Sequence, residues 1–518
     1  MKANWFLALL VLGAVSCSGR PSKQMSSATS RMRATSADVT SAAQVVAGPS
    51  TTPPLRLSNH GAGKFFLTER AGETEVSMEE LARAQELTFL SISGLGTWLR
   101  AFAELPRVHR LILAKTNGTD SGIKSLAGTS VTELHLAETD VTDAGLALLA
   151  DLPNLKSLLI CGGHVTDAGI ASLARVSTLE SLDVCKNEKL TGHGFEKLMN
   201  VRELQIRTGL APEAFRLIAK MEGLKTLRVD DPAFGAEHMK ALDGSLITKL
   251  WIREAKLGDA AIAAMPAMPQ LTSLVIESDL VDLPIGDAGL RHLAERINLE
   301  ELDIKHAADV TDSGVAAIAR MPNLHKVGLS FSSIGDAGAQ ALAELPLTKL
   351  DLWHTQIGDP GLAFLEKLRN LDELSIGFTR VTNAGAPSIA KLTKLTRLTA
   401  SHSLTDRGLA QLGALHDLRQ IELIDSNIEA PGFAALATHD KLEYLHIGCG
   451  SVTAAALAPL AGLKKLSDLY LDCSSIDDSA VPFLASMTAL EELNVVPTAI
   501  TSAGRAKLAA ALPNASLN

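Results

Sequence analysis

The feature that most constrains this chain is a pattern that returns about every 24 residues almost to its C-terminus. One copy runs from Val131 to Leu155. Its first half alternates: Val131, Leu134, Leu136 and Val141 are apolar while Glu133, His135 and Glu138 are polar, the period of a strand with one buried face. Its second half changes period. Leu146, Leu149, Ala150 and Leu152 fall at helical spacing behind Thr142, an N-cap oxygen, and Asp143, an acid in the first turn. Each unit therefore reads as strand, turn, helix and return. Strand centres fall at Leu90, Leu111, Leu134, Leu158, Leu182, Leu204, Leu227, Leu250, Leu274, Leu302, Val327, Leu350, Leu374, Leu398, Ile421, Leu445, Leu469 and Leu493. The steps between these eighteen run from 21 to 25 residues, except for one of 28 after Leu274. No unit can bury its own leucines, so stability has to come from stacking on neighbours.

The sequence L-x-x-L-x-L followed by T-D-A-G-L and L-A-x-L-P-x-L resembles the leucine-rich repeat family, in its short, helix-containing bacterial and ribonuclease-inhibitor-like form, over roughly residues 87–512. The resemblance implies an α/β solenoid, a horseshoe of about 18 repeats of ~24 residues, with a parallel β-sheet on the concave face and helices on the convex face. One departure is clear. The Asn usual after the strand is here mostly Thr, Ser, Gly or Ala, as at Thr139, Gly163, Ala307, Ser332, Thr355, Thr379 and Ser426. The recurrent Gly145, Gly169, Gly289, Gly314, Gly338 and Gly385 are expected to let helix and sheet approach closely. Asp143, Asp167, Asp287, Asp312 and Asp336 are expected as helix-start residues rather than a row of metal ligands.

The N-terminus reads differently. Residues 1–17 hold one Lys and an apolar run from Trp5 to Val15, too short to span a bilayer and suited to a signal peptide. Ala14-Val15-Ser16-Cys17 resembles the lipobox of bacterial lipoproteins, which implies a lipid on Cys17 and a place in the bacterial cell envelope, most simply the outer membrane. Residues 18–54, rich in Ser, Thr, Ala and Pro, read as a disordered tether. Residues 55–86 read as an N-terminal cap, a hairpin around Gly61 to Gly63 and then a short helix opened by the capping box Ser77 to Glu80. The repeat array fills 87–518.

In the family's geometry the residues around the two strand leucines face outward. The position between them varies freely: His135, Asp183, Arg228, Trp251, Asp303, Gly328, Glu422, His446 and Tyr470 all occupy it. A purely structural position would repeat one residue type. Aromatics make up only 4% of the chain, yet Trp251, Phe331, Trp353, Phe378, Tyr444 and Tyr470 are all expected on outward strand positions. With His306, His354, His402 and His446 they form a candidate partner-binding belt, of the composition found in protein-recognition hot spots. The alternative for the same belt is that the aromatics merely pack on one another along the sheet. A four-residue insertion around Leu280 to Pro284 maps to a rim loop beside it.

Cys161 and Cys185 are 24 residues apart, as are Cys449 and Cys473, so each pair shares a repeat position on adjacent strands about 4.8 Å apart. Disulfides Cys161–Cys185 and Cys449–Cys473 are expected in an exported protein. A formal charge of -10 and a pI near 5.8, with no basic run, argue against nucleic acid as a partner. No zinc-protease, phosphate-loop or nucleophile-elbow motif is present, so no catalytic residue, metal or cofactor is expected. The expected function is non-enzymatic recognition of another macromolecule, most simply a protein, by a lipid-tethered solenoid. The alternatives are a structural or adhesive envelope component that binds glycan or a neighbouring cell, and a ubiquitin-ligase substrate receptor, against which the missing F-box counts.

Overall fold

The computed structural model describes residues 108–517, apart from 117–119, 279–281, 296–297, 450–451 and 474; ahead of them it describes the strand pairing of Gln44–Val46, Leu55–Asn59, Lys64–Glu69 and Glu86–Leu90. The signal segment with Cys17, residues 18–43 of the expected tether and the capping box at Ser77 to Glu80 lie outside the described residues.

One sheet runs the length of the described chain. Leu55–Asn59 pairs antiparallel with Lys64–Glu69, and from Lys64–Glu69 onward every strand pairs parallel with the next. Eighteen strands carry the repeats, and Ser516–Leu517 closes the last edge against Glu492–Asn494. Two boundaries differ from the sequence reading. Gln44–Val46 pairs antiparallel with Leu55–Asn59, so the sheet reaches back into the stretch read as tether, at a point where two valines interrupt its small polar residues. The first repeat centres on Leu87, which pairs with Leu111, rather than on Leu90. Glu86–Leu90 offers apolar residues at 87, 89 and 90, so alternation alone did not select between them; with Leu87 as centre the opening step becomes the usual 24.

The strand-centre register holds throughout; a shift lies beyond it on one pair, where Leu423 faces Ile447 but Ile428 faces Cys449. Leu134 pairs with Leu158, Leu250 with Leu274, and Leu274 with Leu302 across the insertion. From Leu111 to Leu493 no strand-centre residue is more than 2% exposed, because each is covered by its own helix and by both neighbouring units. The helices are short, for example Asp143–Leu148, Asp312–Ile318 and Asp336–Leu342, and each starts from an extended cap residue such as Thr142 or Thr311.

What ties the helix layer together is a link between repeats. The first-turn carboxylate of one repeat accepts hydrogen bonds from the cap residue of the next. Thr142 donates its N–H and hydroxyl to Asp120 at 2.9 and 2.7 Å, and Thr311 donates likewise to Asp287, both at 2.8 Å. Where glycine caps the helix, Gly358 and Gly361 donate backbone N–H groups to Asp336 at 2.8 and 3.0 Å. This adds a second reason for the recurrent glycine to the close packing expected of it. A Cβ on Gly145 would lie 2.3 Å from Asp120 Oδ1 and one on Gly361 2.5 Å from Asp336 Oδ1, so the position is empty to admit the neighbour's carboxylate.

The links run from Asp120 to Thr191 and from Asp259 to Glu429, where the Asn383 amide oxygen takes the carboxylate's place for Thr405, with one more at Asp478 and Thr501. Between Thr191 and Asp259 another device appears. Phe195, Phe215 and Phe234 are among the largest fully buried side chains, and Phe215 meets Phe234 edge to face at 5.1 Å. His238 bridges two repeats there, accepting from Gly235 N–H at Nδ1 (3.1 Å) and meeting the Leu210 carbonyl through Nε2 (3.0 Å). The missing Asn after the strand is replaced locally: Ser332, Thr355 and Thr379 donate their hydroxyls to the carbonyl three residues back, and Asn187 binds both Ile160 and Cys185 carbonyls.

Candidate recognition surface

The helices cover one side of the sheet and leave the other open. Alternation puts three side chains of each repeat on that open face: one before, one between and one after the strand leucines. Trp251, Tyr444, His446 and Tyr470 lie there on strands, half-buried, and Trp353 lies just past the end of Lys349–Asp351.

The structure sets five of the expected belt residues elsewhere. His306, Phe331, His354, Phe378 and His402 each occupy the turn residue beyond the strand, with φ between 54° and 64°. Left-handed backbone costs a side-chain-bearing residue about 1 kcal/mol. It is held by continuing the parallel ladder past the strand: Phe331 N–H donates to Trp353 carbonyl at 2.8 Å and His354 N–H to Gly377 carbonyl at 2.9 Å. The same turn recurs at Lys115, Glu138, Lys186 and Glu254, so the turn belongs to the fold and its aromatic occupancy to this stretch. The five rings stack in series, His on Phe on His on Phe on His, with centroids 4.1, 4.9, 6.5 and 5.8 Å apart and planes within 22° of parallel. Their faces are taken up by one another. Ring edges, and the exposed His354 and His402, remain for a partner.

Two glycines shape the neighbouring face. Trp353 lies over Gly377, where an added Cβ would come within 2.5 Å of the indole, and tilts against Phe378 at 5.0 Å. Asp303 lies over Gly328 in the same way, 2.4 Å from a built Cβ. Burial pushes the Asp303 carboxyl up to about 6; Lys305 opposes the shift and Asp351, two strands on, adds to it. Its buried Oδ1 has no hydrogen-bond partner. Upstream, Arg228 sits over the Trp251 ring at 4.8 Å, Trp251 Nε1 donates to Glu277 at 3.1 Å, and Lys305 donates to the other oxygen of Glu277 at 3.1 Å. The insertion reaches this region: Leu283 N–H donates to His306 carbonyl at 2.7 Å, and Asp282 lies 3.9 Å from His306 Nδ1.

Cys161 and Cys185 pair in register and are joined by a disulfide, with Cα atoms 4.4 Å apart. Cys473 is also disulfide-bonded; Cys449 ends the adjacent strand, and its side chain lies outside the described residues. Among the described residues no group of three or more His, Cys, Asp and Glu side chains is placed to hold a metal ion, and no helix is long and apolar enough to cross a membrane. The surface offers stacked rings, indoles and ion pairs, which are means of binding.

Four stretches, residues 129–150, 297–319, 320–343 and 346–365, match the family described as Leucine Rich repeat. With the parallel register of the strand centres they give the chain the fold of a leucine-rich-repeat solenoid. Among solved structures it is similar to a leucine-rich-repeat protein of Leptospira interrogans, at 14% identity over 85% of this chain and 91% of that one, with a TM-score of 0.34. It is also similar to an internalin of Listeria monocytogenes (16% identity, 86% and 90% covered, TM-score 0.31) and to the mouse RP105/MD-1 complex (15%, 87% and 90%, TM-score 0.49). No curated protein matches the chain.

Proposed function

We propose that this chain is a recognition protein, without catalytic activity, that binds another protein on the open face of its sheet, and that a lipid on Cys17 tethers it to a bacterial envelope, in the outer membrane. The observation that carries the reading is the contrast between the two sides of each repeat. The buried strand centres are all Leu, Ile or Val, while the position between the strand leucines changes side chain at every step and the open face holds Trp251, Trp353, Tyr444 and Tyr470 half-buried. Protein is favoured over glycan because the His and Phe rings of the turn stack cover one another's faces, which sugar rings would need.

A photocrosslinking residue at Ser375, between Trp353 and the Tyr444 and Tyr470 region, should capture a discrete partner on intact cells, and Trp353→Ala should reduce that capture at least fivefold while the circular dichroism spectrum is unchanged. A crosslinker at Glu213, on the helix side, should capture nothing comparable. Equal capture from both positions, or none from Ser375, overturns the reading. Cys17→Ser should move the protein to the soluble fraction; retention in the membrane fraction removes the tether from the proposal.

A further inference from the structure

The four strands Gln420–Ile428, Tyr444–Cys449, Asp468–Asp472 and Glu492–Asn494 present an open face unlike the rest. On earlier strands carboxylates of this face are paired with bases: Asp183 with Arg207, Glu277 with Lys305, Glu373 with Lys349 and Arg397. Here Glu422, Asp468, Asp472 and Glu492 stand among open-face positions that include no Lys or Arg. The only two tyrosines of the chain stand between them.

The register fixes the arrangement. Glu422, His446, Tyr470 and Asn494 form one row across the strands, and Gln420, Tyr444, Asp468 and Glu492 the next. Tyr444 and Tyr470 are 5.3 Å apart and tilted by 37°, and His446, on the same strand as Tyr444, lies 5.4 Å from Tyr470. The ring cluster is framed by acids: His446 Nε2 meets Asp472 at 2.8 Å, and Gln420 donates to Glu422 at 2.8 Å. The same acids act on the phenols. Burial first, then the surrounding Glu422, Asp468, Glu492 and Asp472, push Tyr444 up to about 12, and burial with a hydrogen bond to Glu492 raises Tyr470 as well. Arg397, beside Gln420 in the same row, is held by Glu373 at 2.7 Å, and Arg419, at the strand edge, by Glu443 at 2.5 Å.

Electron-rich rings inside a carboxylate frame attract cations by two mechanisms at once, the ring quadrupole and the net field. We infer that this end of the open face docks a lysine- or arginine-rich segment of the partner protein, with a basic side chain over Tyr444 and Tyr470 and its charge answered by Glu422, Asp468, Asp472 and Glu492. This rests on the open face being the recognition surface.

The test uses the full chain and a fluorescein-labelled octalysine peptide at 50 mM NaCl. Binding should be saturable and weaken steeply with salt. Glu422→Gln with Glu492→Gln should weaken it at least fivefold, and Tyr444→Leu with Tyr470→Leu at least threefold. Glu213→Gln with Glu222→Gln, the same charge change on a distant repeat, should alter it less than twofold. Equal loss from both carboxylate pairs reduces the effect to net charge and overturns the assignment, as does absence of peptide binding. Self-association of the chain that Glu422→Gln with Glu492→Gln abolishes would give the patch to a second copy and likewise overturn it. If the Ser375 crosslink captures a partner while the peptide result fails, only this assignment falls; if the capture fails too, the reading beneath it falls.

Discussion

Asp303 shows how burying a single carboxyl on the open face costs stability. Its folded pKa, about 6, stands above the unfolded carboxylate value, so the folded state holds the proton more tightly. The stability this group contributes is fully present below pH ~4 and is lost as pH rises through about 6. Asp303→Asn should therefore stabilise the protein at pH 8 by on the order of 2 kcal/mol, with the gain vanishing near pH 4. Urea melts at the two pH values check this; an equal effect at both would mean that loss of packing over Gly328, not ionisation, sets the outcome. Sequence reading placed Asp303 on the outward face from its position between Leu302 and Ile304. It did not see the burial, because that comes from Gly328 on the next strand, where a missing side chain lets the carboxylate lie down. The same holds for the five turn aromatics. Their 23- to 25-residue spacing was legible, whereas the left-handed backbone that takes them off the strand depends on hydrogen bonds to the following repeat.

At the scale of the element, the cap and the glycine of a linked helix are two halves of one contact with the preceding unit. Removing the carboxylate in Asp336→Ala leaves the Gly358 and Gly361 N–H groups without their acceptor and should cost about 1–2 kcal/mol. Filling the pocket in Gly361→Ala should cost about 1–3 kcal/mol, since the new Cβ meets Asp336 Oδ1 at 2.5 Å and Ile357 at 2.8 Å. The double variant should lose at least 0.5 kcal/mol less than the sum, because the alanine at 361 then meets less. A double-mutant cycle by urea unfolding measures it, and strict additivity would show that Gly361 answers to helix–sheet packing instead. The helix starts themselves were legible from Thr-Asp and Gly-Asp pairs. Their bonding partner was not, since it lies one repeat upstream and no local pattern joins the two.

For the molecule as a stack, the carboxylate links divide the repeats into runs, and the lapse between Thr191 and Asp259 is filled by phenylalanine instead. Nearest-neighbour coupling sets cooperativity in such an array. Phe215→Ala should cost about 3–5 kcal/mol and, in moderate urea, open Thr226–Asp230 and Lys249–Arg253 to hydrogen exchange while Lys349–Asp351 and Arg397–Thr399 stay protected. Leu342→Ala, inside a linked run, should instead spread its effect over the neighbouring strands. Uniform exchange in both variants would mean that the links do not set the boundary. The linkage also bears on how such an array grows. Every repeat inside a run carries both a side-chain oxygen to offer, from Asp or once from Asn383, and a vacant socket to fill, so copying one unit in frame regenerates a complete joint on each side. Excising a unit at the margin of a run leaves an acid with nothing to hold, which makes duplication inside a run the conservative change and loss at its border the disruptive one.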